Sequence, residues 1–247
     1  MIFIKCLITI VTLSIVLIGC SYSKQKLTSN HIFFITYTTA QTNLQKGNFK
    51  TAIQQLELLD NAYPFGPYSQ QVQLDLIYAY YKSSNFLIAQ TYVDRFIRLN
   101  PSHPNIDYIF YMRGLIDMAM DENTLQEFFG IDRSDCNPEY AEQSFQDFSK
   151  LIKCYKHSEY ASDAIRRLIY LMERLAKYDL SVARYYIKRR AYIATINRVE
   201  MMLRNYPNTQ AVRNALPLMQ YAYIKINLNS QANKVAKIIT ENNINTK

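Results

Sequence analysis

The sequence predicts an all-α fold, an array of about five helix-turn-helix repeats, and three observations predict it. Only 5 Gly and 7 Pro occur in 247 residues, too few breakers for an all-β chain, which needs a turn every 8–12 residues or so. Beyond residue 30 the apolar residues recur at steps of three and four, which places them on one face of a helix. The same run of small and aromatic residues then returns at a fixed spacing: Ala52 to Ala89 and Thr195 to Ala232 are both 37 residues apart. With 49% hydrophobic and 19% charged residues, the chain has the composition of a folded protein. Neither GxGxxG nor GxxxxGK[ST] occurs, which excludes dinucleotide-binding and P-loop chemistry of those types.

The chain opens with an address. Lys5 is the only charge before residue 24, and Cys6 to Ile18 is apolar apart from Thr9, Thr12 and Ser14. That stretch is shorter than the ~20 residues a helix needs to cross a bilayer, and its flanks are those of a secretory leader. Leu17-Ile18-Gly19-Cys20 resembles the bacterial lipobox. The resemblance implies a signal peptide over 1–19, cleavage before Cys20, and N-palmitoyl and S-diacylglycerol groups on Cys20. Several acyl chains anchor stably where one does not. Ser21, in place of Asp, points to the outer membrane rather than the inner. Residues 20–30 are expected to be a flexible tether, 31–247 the repeat body, and no cofactor beyond the lipid is expected.

The body follows in order. Phe49, Ala52, Ile53, Leu56 and Leu59 line one helix face, entered through Gly47-Asn48 and stopped at Tyr63-Pro64. Pro cannot continue a helix and restrains the residue before it. Phe86, Ala89, Val93 and Phe96 end at Asn100-Pro101. Ala141, Ser144, Phe148 and Leu151 end at Tyr155-Lys156, without the Pro. Tyr192, Thr195, Val199 and Met202 end at Tyr206-Pro207, and Ala232, Ala236 and Ile239 close the chain. The pattern resembles the tetratricopeptide repeat, a helix pair of about 34 residues, and implies a right-handed superhelix with a concave face. Wider spacing in the middle reads as an insertion at about 119–139 and elongated helices over 160–204. The Tyr and Phe flanking the small residues are expected to fill the core.

A search for chemistry finds little. His31, His103 and His157 are isolated and no HExxH or GxSxG occurs, so neither a zinc site nor a nucleophile elbow is expected. Asp132-Arg133-Ser134-Asp135 reads as a polar capping turn, and Asp121-Glu122 opens the insertion. No catalytic residue and no metal ligand is assigned, and the chain is read as a non-enzyme. Cys136 and Cys154 are expected to be independent small residues rather than a bridge. Export argues against a nucleic-acid partner despite the +8 net charge. That charge is uneven: residues 20–140 hold 9 Lys/Arg against 12 Asp/Glu, and residues 141–247 hold 18 against 8. The basic half suits an acidic protein partner.

Longer motifs carry a closer resemblance. Gln45-Lys46-Gly47-Asn48-Phe49, the run from Leu59 to Gln71, Asp94 to Pro101, His103 to Tyr108, Phe129 to Asp135 and Asn197-Arg198-Val199-Glu200 together resemble the BamD family. These are lipoprotein subunits of the outer-membrane β-barrel assembly machinery. The resemblance implies a scaffold on the periplasmic face of the outer membrane. It implies binding of the central barrel subunit, through that subunit's periplasmic domains, by the C-terminal repeats. Accessory assembly lipoproteins and unfolded outer-membrane proteins are the other implied partners. Arg198, with Arg189 and Arg190, is the implied contact for the barrel subunit; the alternative for Arg198 is a surface pair with Glu200 or Asp179. Tyr63, Phe65 and Tyr68 are the implied substrate contacts, the alternative being that Tyr63 and Phe65 pack a repeat junction. Lys156 in place of Pro, and Arg190 in place of Gly, depart from the family pattern. A cell-wall-associated or cell-wall-acting repeat lipoprotein is the alternative function.

Overall fold

The computed structural model describes residues 31–122 and 137–244. All regular structure among them is helical: α1 (31–45), α2 (Phe49–Ala62), α3 (Ser69–Lys82), α4 (Phe86–Leu99), α5 (Ile106–Asp121), α6 (Glu139–Cys154), α7 (Ala161–Lys188), α8 (Tyr192–Asn205), α9 (Gln210–Lys225) and α10 (Asn229–Glu241). They form two compact units, one ending at Phe96 and the other beginning at Ile97. The leader, Cys20, the tether, Cys136 and the 132–135 turn lie outside the described residues.

In the first unit α2 packs on α3, and Ala52, Leu56 and Leu59 of α2 and Val72, Leu76 and Ala79 of α3 are buried. Ala89, Val93 and Phe96 of α4 are fully buried, as the spacing predicts. In the second unit α5 packs on α6, so closely that a Cβ on Gly114 would lie 2.6 Å from the Phe148 ring. The Ser144 hydroxyl donates to the Gly114 carbonyl, 2.8 Å away, at the same crossing. The expected elongation over 160–204 belongs to one helix: α7 runs 28 residues unbroken, whereas α8 has 14. α7 touches α6, α8 and α9. Beyond it, α7 to α10 share one core of Ala176, Leu180, Val199, Met202, Leu216 and Val235 with their neighbours. In α10 Ala232 and Ile239 are buried as expected, but Val235 rather than Ala236 is buried between them. The expected insertion begins later than 119, because α5 continues to Asp121.

Two turn geometries repeat, and they explain both departures from the family pattern. Within a repeat the first helix ends on a left-handed residue: Gly47 (φ 76°), Ser84 (60°), Arg190 (59°) and Asn227 (62°). Each donates its N–H to the carbonyl three residues back, and the next N–H reaches five back. Gly47 and Asn48 bond to Leu44 and Asn43, and Arg190 and Ala191 to Ile187 and Tyr186. This is the Schellman closure, which satisfies carbonyls that the helix end leaves open. Arg190 therefore occupies the glycine position of the turn, and its Cβ bears the steric cost there.

After α2, α6 and α8 the helix ends on a tyrosine with one backbone shape: Tyr63 (φ −134°, ψ 53°), Tyr155 (−128°, 60°) and Tyr206 (−133°, 47°). Each tyrosine carbonyl accepts the N–H three residues on, from Gly66, Ser158 and Thr209. Lys156 thus stands in a turn whose other copies carry Pro64 and Pro207, and the stop forms without proline. Because both native conformations already match the missing residue types, Lys156→Pro and Arg190→Gly are each expected to raise the melting temperature by about 1–4 °C, corresponding to roughly 0.5–1 kcal/mol. Thermal unfolding followed by circular dichroism checks this, and a fall in either variant contradicts the turn assignment.

Candidate functional site

In the first unit the Tyr63–Tyr68 loop meets α1. Phe33 is buried, stacked on Tyr68 with centroids 5.2 Å apart and edge-on to Tyr63 at 5.5 Å. Phe34 lies edge-on to Tyr68 at 5.6 Å. These rings, with Gly66, Pro67 and Ser69, line a cavity of about 180 Å³. Tyr63 and Tyr68 are brought together as the sequence implies. Phe65 does not line the cavity and is 95% exposed, which corrects the idea that it packs a junction: it projects from the turn into solvent. Phe33 and Phe34 were missed by the reading of the loop alone. The period-four placement of Phe33 and Tyr37 was the available signal.

α1 is held to α3 by a polar knot. The Tyr37 hydroxyl donates to Asp75 at 2.8 Å, as do the Gln41 amide at 2.5 Å and the Gln71 amide at 3.1 Å. Burial pushes the Asp75 carboxyl above its ordinary value, although these donors pull it back. The Tyr37 hydroxyl is raised as well, first by burial and then by the Asp75 charge.

In the second unit, buried aspartates are clamped by arginines from other helices. Asp147 of α6 takes Arg113 of α5 at 2.5 Å, Asp121 of α5 takes Arg174 of α7 at 3.1 Å, and Asp179 of α7 takes Arg198 of α8 at 2.9 Å. The first unit holds one more, Asp60 of α2 with Arg95 of α4 at 3.0 Å. Arg198 is therefore a clamp residue, paired with Asp179 rather than Glu200. Its side chain is 27% exposed, against 7% for Asp179. Burial raises the Asp179 carboxyl, and Arg198 reverses only part of that. The Tyr206 hydroxyl nearby is pushed up to about 12, by burial and by the charges of Asp179 and Glu142.

Arg189 and Arg190 are exposed in the α7–α8 turn, and the Arg189 guanidinium lies 5.4 Å from the centroid of the Tyr185 ring. The structure thus divides the three predicted contact arginines into one half-buried in a helix-helix clamp and two at a turn tip. Cys154 carries a free, exposed thiol at the end of α6. Among the described residues no helix is long and apolar enough to cross a membrane, and no group of three His, Cys, Asp or Glu is placed to hold a metal.

Comparison with known proteins follows this geometry closely. Residues 34–238 match the YfiO family model, described as an outer membrane lipoprotein. The chain is 46% identical over 206 residues to the outer membrane protein assembly factor BamD of Vibrio cholerae, covering 83% of this chain and 86% of that one. It is 36% identical over 235 residues to BamD of Haemophilus influenzae, covering 95% and 89%. A BamD of Pasteurella multocida is 41% identical over 206 residues, 83% of this chain and 79% of that one. The chain belongs to the BamD family. It is thereby a member of a family of outer membrane lipoproteins, and its helix pairs are the tetratricopeptide-like repeats of that family. The BamD resemblance of Leu59–Gln71 falls on the loop that lines the aromatic cavity, and that of Gln45–Phe49 on the α1–α2 turn.

Two outcomes follow from Asp179 and Asp75. Removing Arg198 leaves Asp179 buried without its cation, so Arg198→Ala is expected to cost about 2–3 kcal/mol. Pairing Arg198→Gln with Asp179→Asn, which removes both charges, is expected to restore most of that; urea unfolding of the set measures the coupling. For Asp75, a carboxyl raised on folding holds its proton more tightly in the fold than in the unfolded chain. Its contribution is most favourable in acid, below the ordinary carboxylate value, and fades as pH rises through its raised value. The stability of Asp75→Asn relative to wild type is therefore expected to be greatest near pH 7 and to shrink as pH falls toward 4. A gap independent of pH would remove Asp75 as the titrating group.

Proposed function

We propose that this chain is a non-catalytic scaffold of outer-membrane β-barrel protein assembly, held at the periplasmic face of the membrane by lipid on Cys20. The observation that carries this reading is the match to outer membrane protein assembly factors, at up to 46% identity over most of both chains. The physical character of the molecule supports it. Helix-pair arrays present large surfaces on rigid neighbours and act by binding. The titratable groups with displaced pKa values sit in helix-helix clamps and tyrosine-carboxylate pairs rather than in a cleft built for proton transfer.

Two surfaces divide the work in this reading. The C-terminal helices receive the periplasmic part of the central barrel subunit, and accessory assembly lipoproteins where they exist, with Arg198 at that surface. One arm of Arg198 is fixed by Asp179, so the guanidinium is already positioned before a partner arrives, which lowers the entropy cost of docking. The aromatic cavity of the first unit receives an aromatic residue of an unfolded barrel protein. Tyr63 and Tyr68 line its wall, Phe33 and Phe34 close it, and the exposed Phe65 ring offers first contact.

The test separates contact from folding. The mature, lipidated protein is purified in detergent with whatever outer-membrane partners accompany it, as wild type, as Arg198→Glu, and as the charge-free pair Arg198→Gln with Asp179→Asn. Co-purification of a barrel subunit with wild type, and its loss from both variants while they remain folded, is the expected result. Retention by the charge-free pair alone would place Arg198 in a supporting role behind the surface. Absence of any barrel protein from the wild-type preparation would overturn the scaffold reading.

A further inference from the structure

The aromatic cavity of the first unit has two walls, and they are held very differently. One wall is the loop that runs from Tyr63 into Ser69, where α3 begins. Its shape is fixed by the Gly66 N–H on the Tyr63 carbonyl at 3.1 Å and the Ser69 N–H on the Gly66 carbonyl at 3.0 Å. It is continuous with a well-seated helix, since α3 buries seven of its 14 residues. The other wall is α1, which contributes Phe33 and Phe34. α1 buries two of its fifteen residues, Phe33 and Ala40. A helix with so few buried side chains lies at the low end of local stability.

The contacts that join the two walls are ring contacts, Phe33 stacked on Tyr68 and Phe34 edge-on to it. A ring that enters between the walls competes for these same faces, so they hold α1 least when the site is filled. The Asp75 knot has no such conflict, because Tyr37, Gln41 and Asp75 do not line the cavity. Tyr37 stands one turn after Phe33 and is stacked on it, with centroids 5.8 Å apart. Its hydroxyl donates to Asp75. Gln41, a further turn on, donates to the Asp75 carboxylate at 2.5 Å and to the Tyr37 hydroxyl at 2.9 Å. Asp75 lies on the helix that Ser69 opens, and Gln71 of that helix braces its second oxygen at 3.1 Å. One helix thus carries the loop wall at its start and, further along, the acceptor that ties down the opposite wall.

We propose that Asp75 is a positioning residue for the aromatic site: by accepting from Tyr37 and Gln41 it holds α1 in place as a wall, so that the cavity stands open before an aromatic side chain arrives. A wall already in position lowers the ordering cost of binding. Hydrogen bonds to a carboxylate are stronger than those between neutral groups, and two of them from one helix offset its small share of buried side chains. Asp75 touches no ligand in this scheme and acts through Tyr37 and Phe33. The proposal rests on the reading of this cavity as the place that receives an aromatic residue, and the experiment separates the two.

The chain contains no Trp, so indole emission from the probe N-acetyl-tryptophanamide has no background from the protein. The probe is titrated into the full lipidated chain in detergent. Wild type is expected to bind it with a blue shift, and Tyr68→Ala to leave it in water. Asp75→Ala is expected to bind about tenfold more weakly, and Tyr37→Phe, which keeps the stacked ring and loses only the hydroxyl, about fivefold. Asp75→Asn, which keeps an acceptor oxygen, is expected to stay within about twofold of wild type. Without the probe, amide hydrogen exchange over 34–45 is expected to speed about fivefold or more in Asp75→Ala, while α2 and α4 exchange as in wild type. Tyr37→Phe carries both measurements if Asp75→Ala does not fold. Wild-type affinity in Asp75→Ala and Tyr37→Phe overturns the positioning role and leaves the cavity reading standing. Failure of wild type to bind the probe removes the cavity reading and the positioning role with it. Unchanged α1 exchange in the variants removes Asp75 as the tie, whatever the probe does.

Discussion

The repeat depends on one constraint, a fixed count from a left-handed turn to a side chain small enough to let two helices touch. Gly47, Ser84, Arg190 and Asn227 each adopt positive φ, and five residues after each stands Ala52, Ala89, Thr195 or Ala232, none more than 3% exposed. The turn reverses the chain and the small residue arrives where the returning helix comes nearest. A bulky side chain at that position would force the helices apart and open voids beside Leu56, Phe96, Val199 and Met202, with the loss of contacts that close packing supplies. The Asp179–Arg198 clamp spans one such pair, from α7 to α8.

Close approach also creates an electrostatic problem that the clamps solve. Asp60, Asp121, Asp147 and Asp179 are all buried, and each meets an arginine from a different helix. Such pairs add little net stability over apolar contacts, yet a wrong register leaves a buried carboxylate without its cation, which is costly. They act as keys that accept one helix arrangement and penalise its neighbours. Arg198 belongs to this set, which is why its motif is both structural and a natural candidate for contact.

The second helix of each pair was legible in the sequence because the repeat writes it redundantly. Ala, Phe and Val at steps of three and four mark a face, and Tyr-Pro or Gly marks its ends; Ala141, Ser144, Phe148 and Leu151 are all buried as that spacing requires. The Tyr155 stop was readable from its neighbours even without its proline, since tertiary packing imposed the same backbone. What could not be read depends on approach in space. The partner of Arg198 is decided by the seat of Asp179 on α7, not by the nearer Glu200. Phe33 and Phe34 meet the Tyr68 loop across space, from a helix whose Tyr37 and Gln41 donate to Asp75 of α3. Phe65 looks like core by composition, but Pro64 and Gly66 turn it outward, and no periodicity reports that.

The length of α7 carries a mechanical meaning. Its neighbours are broken every 13–16 residues by turns, where small rotations are absorbed. α7 has no such joint across 28 residues, about 42 Å. Arg167 and Arg174 engage α5 from its first half, while Asp179 and Ala183 seat the last helices on its second. A tilt imposed where α5 and α6 grip the rod therefore meets no turn before the helices at its far end. In a chain of otherwise jointed pairs, α7 is the lever arm, and a load applied at either end of it is felt at the other.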